Sequence, residues 1–213
     1  MKEQAEKMIQ DIHNGKAEEA DAIKLLECLR AGVHENPMMG REYGQLIAQL
    51  GQALKSRSEK ADLTLLPVGK GFLSIGHKPG GKITFGGMKA AGISTILTLL
   101  QENEGALQIG MAIEKAGINW ILFPFSASKP HVGEDKEKVK KLYAQLNNLL
   151  NDGQAIYIHC SAGIHRTGMI SYGLLRYLGH DSVEAKMLLK QLREVTAEHV
   201  GEERLIWGED FGN

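Results

Sequence analysis

The apolar positions of residues 1–60 fall into three helical stripes. Ala5, Met8, Ile9 and Ile12 form the first, Ala22, Leu25, Leu26 and Leu29 the second, and Tyr43, Leu46, Ile47, Leu50 and Leu54 the third, all at the three-and-four spacing of an amphipathic helix. Asn14-Gly15, Gly32 and Pro37 punctuate the stripes. One apolar stripe per helix is what ordinary packing needs, so a small subdomain or a layer on the rest of the chain is expected ahead of a dimer contact. Cys28 lies beside the second stripe and reads as a buried helix cysteine rather than a redox or regulatory group.

From Leu63 the pattern changes from helical stripes to short apolar runs. Leu63–Val68 and Phe72–Ile75, separated by Gly69-Lys70-Gly71, predict a hairpin, and Ile93–Leu100, Asn119–Phe123 and Ala155–Ile158 predict buried strands. Between and after them come predicted helices: a short one around Met88–Ala91, then Leu107–Ala116, Glu134–Leu150, Thr167–Leu178, and one from Asp181 or Ser182 to about Glu198. Ala185, Leu188, Leu189, Leu192 and Val195 should face inward from that last one, and a final short helix should pack Trp207 on the body. Strands alternating with helices predict an α/β fold with a central, mainly parallel sheet flanked by helices. The chain thus divides into a helical extension, 1–62, and an α/β unit, 63–213. In such sheets a site lies outside the carboxyl ends of the strands, so the loops after Phe123 and after Cys160 should share one rim.

Composition narrows the function without choosing it. A formal net charge of −1 gives no global attraction to nucleic acid or to an anionic membrane, and no apolar run spans a bilayer. The polar opening MKEQAEK lacks the apolar core of a secretory signal, so a cytoplasmic location is expected. With two cysteines, a structural disulfide is not expected. The lysines of 136–141 read as a solvated helix face. Pro79-Gly80-Gly81 and Gly86-Gly87 lack the lysine and hydroxyl that end a nucleotide phosphate loop.

The chemistry concentrates in Ala155–Gly168, AIYIHCSAGIHRTG. Cys160 falls at the end of a strand, and Ser161, Ala162, Gly163, Ile164 and His165 must turn the chain into a helix. Strand, tight loop and helix N-terminus make an anion cradle of inward N–H groups, and Arg166 adds a planar fork for two oxyanions. In that field a thiol ionises readily, which makes Cys160 a candidate nucleophile toward phosphorus.

The order His159, Cys160, five residues, Arg166, Thr167, Gly168 resembles the signature of the cysteine-dependent protein tyrosine and dual-specificity phosphatase superfamily. The resemblance implies a phosphocysteine intermediate, with His159 orienting the loop, Cys160 attacking, Arg166 and the loop binding phosphate, and Thr167 assisting breakdown. It implies a phosphorylated protein or a small phosphorylated molecule as substrate, with no metal or other cofactor. The absence of a segment like the phosphotyrosine-binding one of tyrosine-specific members favours a compact dual-specificity-like domain. The likeness covers 63–200 in outline and leaves the N-terminal helices unexplained.

The family carries its general acid, an aspartate, on the loop after the strand that here is Asn119–Phe123. Counting from Pro124 to Pro130 puts that position on Ala127, which cannot donate a proton. Three accounts stay open: the acid comes from elsewhere, with Asp135, Glu134 and His131 nearest; the chain binds phosphate with little or no turnover, as a pseudophosphatase; or Ala127 is a substitution that traps substrate. A sulfur-transfer enzyme, which also uses a cysteine in an anion loop, is the rival chemistry.

Overall fold

A computed structural model describes residues 1–13, 17, 19–58, 63–81, 83–125 and 134–212. The three N-terminal stripes become α1 (Lys2–His13), α2 (Glu19–Glu35) and α3 (Gly40–Ser58), with a 3₁₀ turn over Pro37–Met39 where proline disfavours continuing the preceding helix. Ala5, Ile12, Ala22, Leu26, Leu29, Leu46 and Leu50 close on one another as a core of their own. The third helix also touches the short helix α4 (Phe85–Ala90). Cys28 is exposed, correcting the expectation of burial. It sits about 120° around α2 from the centre of the Ala22/Leu26/Leu29 stripe, so proximity in sequence does not bring it into the core.

The rest is built on five strands. In chain order these are β1 (Leu66–Val68), β2 (Gly71–Gly76), β3 (Thr95–Thr98), β4 (Asn119–Leu122) and β5 (Ala155–His159). They lie in the order β1-β2-β5-β3-β4, and only the β1–β2 hairpin is antiparallel. The helices α5 (Ala106–Lys115), α6 (Glu134–Asn151) and α7 (His165–Tyr177) link or follow the strands, and α8 (Ser182–Leu192), α9 (Glu194–His199) and α10 (Glu202–Glu209) complete the chain.

Side-chain alternation in β5 explains the two layers. Ile156 and Ile158 point into a core with Leu73, Leu97, Val139, Leu146, Ile170 and Trp207, while Ala155 and Tyr157 point to the opposite core with Met88, Ile96, Ile109 and Ile113. A sheet covered on both faces needs strands apolar on both, which is why these segments read as continuous apolar runs. Gly110 of α5 has a specific use: a Cβ there would lie 2.3 Å from the Trp120 indole, so glycine lets that ring pass under the helix.

The single helix expected over 181–198 is two. Arg193 takes an extended backbone, φ −165° and ψ 107°, between α8 and α9. The break turns Val195 outward, at 37% exposure, and buries Thr196 in its place. Arg193 and Thr196 thereby reach the loop after Cys160, a tertiary contact that outweighs local helix propensity.

Candidate active site

Register places the site. Gly76 of β2 and Thr98 of β3 both pair with His159, the last residue of β5, so three strands end at one level. The segments leaving them start side by side there, with the Lys78 N–H bonded to Ser161 O and the Leu99 N–H to His159 O.

The loop's orientation follows from how its carbonyls are held. Ser161 O accepts from the Lys78 N–H at 3.0 Å, and Ala162 O accepts from Arg193 Nη1 at 3.3 Å. Gly163 O accepts from Arg193 at 2.8 Å and from the buried Thr196 hydroxyl at 2.7 Å. In a planar trans peptide the N–H points opposite its carbonyl, so the N–H groups of Ala162, Gly163 and Ile164 turn to the other side, where the sulfur is. The Gly163 N–H lies 3.3 Å from Cys160 Sγ. Helix α7 then begins at His165, two residues before the predicted start, and adds its positive end.

Gly163 cannot be replaced cheaply. Its φ is +72°, and a Cβ would lie 2.2 Å from the Gly76 carbonyl and 2.5 Å from His77 N. Gly163→Ala is therefore expected to destabilise the protein by about 2–4 kcal/mol, through left-handed strain plus overpacking against backbone. Thermal unfolding beside the parent chain measures it.

Burial alone would push the Cys160 thiol up; the Thr167 hydroxyl and the N–H groups of Thr167, Gly163 and Ile164 outweigh it and bring the thiol below its ordinary value. Thr167 Oγ1 is itself buried and has no conventional hydrogen-bond partner, which leaves its proton free for the sulfur. Around the cradle, Ser161, Ala162 and His165 are exposed, Ile164 is half-buried, and Gly163, Arg166 and Thr167 are buried.

Arg166 is anchored by a partner the sequence did not reveal. Glu104, in the turn after β3, accepts Arg166 Nη1 at 2.6 Å and Nη2 at 2.7 Å, and Leu99 O takes Nη1 at 3.2 Å. Five guanidinium N–H groups in a fixed fork then leave the Nε–Nη2 edge for an anion. The Arg166 bond holds the Glu104 carboxyl down at about 2, so Glu104 is no proton donor near neutrality. Its place at a strand's carboxyl end was the one available signal.

His159 is fully buried, and burial pulls its pKa down to about 4, so the ring is neutral. The network fixes its tautomer. Trp120 Nε1 can only donate, and does so to Thr98 Oγ1 at 3.0 Å; Thr98 sits 2.9 Å from His159 Nε2, and His159 Nδ1 sits 3.0 Å from Cys160 O, which can only accept. The proton therefore lies on Nδ1, Thr98 donates to Nε2, and the chain Trp120–Thr98–His159 holds the carbonyl of Cys160. Ala127 and His131 lie outside the described residues, as do the side chains of Glu134 and Asp135.

Fold and site are similar to those of the cysteine-dependent phosphatases of the protein tyrosine/dual-specificity type. Residues 77–180 match the family described as "Tc-R-P: Polymorphic toxin system, DSP-PTPase phosphatase". Kinase associated phosphatase with its catalytic-site cysteine replaced by serine has the same fold, at 17% identity and TM-score 0.59, over 70% of this chain and 92% of that one. So does Tk-PTP in its active form, at 20% identity and TM-score 0.53, over 70% and 95%. No curated protein sequence matches the chain. No helix among the described residues is long and apolar enough to cross a membrane.

Proposed function

We propose that the chain hydrolyses phosphate monoesters, on phosphotyrosine, phosphoserine or phosphothreonine or on a small phosphorylated molecule, through a phosphocysteine at Cys160. The Cys160 thiolate attacks phosphorus in line, its S–P bond forming as the ester P–O bond breaks. The N–H groups of the 161–165 loop and the free edge of Arg166 hold the equatorial oxygens. Water then cleaves the S–P bond, with the Thr167 hydroxyl stabilising the departing thiolate, while His159 keeps the Cys160 carbonyl out of the anion seat. The supporting observation is the sulfur itself, a buried thiol below its ordinary pKa at the focus of the loop N–H groups and beside an anchored guanidinium. The separate core of α1–α3 supports a division into a helical extension, 1–62, and a catalytic unit, 63–213.

Rapid quenching with an aryl phosphate tests the reading. A phosphoryl adduct on Cys160, found by mass, is expected; phosphate release with no adduct, or a persulfide on Cys160 with no release, would count against it. Glu104 should position Arg166. Glu104→Gln, which keeps the shape but loses the charge pairing, is expected to lower kcat/KM about 10- to 100-fold through misplacement of the guanidinium, read in steady-state kinetics.

A second reading rests on Ala127. Without a proton donor at that position, the same cradle would bind phosphorylated partners and turn them over slowly or not at all.

A further inference from the structure

Beside the Cys160 loop runs a groove of about 660 Å³, within the range of ligand sites, that the phosphate chemistry does not use. Phe85 and Ile109 give it an apolar floor, Asn103 and Gln108 bring carboxamides, and Lys78 and Glu102 bring one charge of each sign. The glycine-bearing stretch after Pro79 forms part of its wall, with Gly80 N–H bonded to Ile83 O. The wall is fastened once to β5 and once to the cradle: Tyr157 donates its hydroxyl to His77 O at 2.9 Å, and the Lys78 N–H holds Ser161 O at 3.0 Å.

Lys78 stands where cradle and groove meet. Its Nζ lies 3.7 Å from where a Cβ on Gly105 would be, next to Glu104, whose carboxylate is already taken by Arg166. Among the described residues the Lys78 ammonium has no ion pair. The lining chooses between occupants. A polyphosphorylated small molecule needs several cations, and among the described residues the lining carries one, with Glu102 opposing it. An extended peptide fits instead, because its amides match Asn103 and Gln108, its side chains can use the apolar floor, and one carboxylate suits one lysine.

We propose that this groove receives the polypeptide flanking a phosphorylated residue seated in the Cys160 loop, and that Lys78 selects an acidic residue beside the phosphorylated one. The proposal rests on the reading of the loop as a phosphate-ester site. It makes acidic phosphopeptides the preferred substrates.

The test measures binding in the Cys160→Ser background, where turnover does not intrude, by fluorescence anisotropy with two labelled phosphotyrosine peptides. The peptides differ only in carrying Glu or Lys at the flanking positions, and an inositol polyphosphate serves as competitor. An acidic preference of about three- to tenfold is expected, the scale of one partly screened ion pair, and adding Lys78→Glu should invert it. A merely structural Lys78 would not reverse the sign. Equal affinities for the two peptides, or a preference untouched by Lys78→Glu, overturn the groove assignment while leaving the phosphate site standing. An inositol polyphosphate that outcompetes the acidic peptide overturns it too. If neither phosphopeptide binds better than its unphosphorylated form, the phosphate-site reading itself falls, and the groove assignment with it.

Discussion

Cys160→Ser is expected to reduce phosphate release on the order of 10⁴-fold or more while leaving phosphate binding intact. The cradle is built to stabilise a thiolate: the Thr167 hydroxyl and three backbone N–H groups overcome the cost of burying that charge. They cannot do as much for a serine hydroxyl, whose ionisation is far harder, and removing a nucleophile removes the covalent route as a whole. The cavity changes by one atom, so the N–H groups and the Nε–Nη2 edge of Arg166 stay in place. Single-turnover hydrolysis and phosphate affinity, measured on both proteins, separate the two effects. Turnover surviving in the serine variant would place the nucleophile elsewhere. The parent's pH profile adds a second check. Rate should rise as Cys160 loses its proton, and because its pKa is lowered, that rise should be complete at a lower pH than for an ordinary thiol.

Ala127→Asp should act in the opposite direction, raising turnover of an alkyl phosphate about 100- to 10,000-fold, the usual contribution of a positioned general acid. In free-energy terms that is about 3 to 5.5 kcal/mol off the barrier. An aryl phosphate should gain less, because a phenoxide leaves without much help. The variant should also acquire a falling limb at high pH, where the new carboxyl has lost its proton, and the parent should lack it. If Ala127→Asp changes nothing and the parent is already fast, the acid comes from another residue, with Asp135, Glu134 and His131 first to be tried. Inertness of both proteins would favour phosphate recognition without hydrolysis. Glu104 does not enter this contest, since Arg166 keeps it ionised far below neutrality.

The sequence by itself determined the elements and the order in which they meet. Apolar stripes gave α1 to α3, and continuous apolar runs gave the buried strands, because a helix face and a two-sided sheet leave different periods in the chain. The grouping of His159, Cys160, Arg166 and Thr167 was legible too, because loop and helix start are contiguous and short-range geometry fixes them. What contiguity does not carry, the sequence did not reveal. Glu104 precedes Arg166 by 62 residues, and only the parallel pairing of β3 with β5 brings the turn after one strand to the helix after the other. Thr98 and Trp120 reach His159 for the same reason, through strand register and the space left at Gly110. The break at Arg193 was hidden because propensity is local, while the carbonyls of Ala162 and Gly163 that draw it out of the helix lie 31 and 30 residues away. Cys28 failed in the same sense on a smaller scale: Leu26 and Leu29 close to it in sequence are buried, but burial goes by direction around the helix. Period and motif are written along the chain; which donor faces which acceptor is decided only when the sheet closes, since a hydrogen bond depends on separation in space.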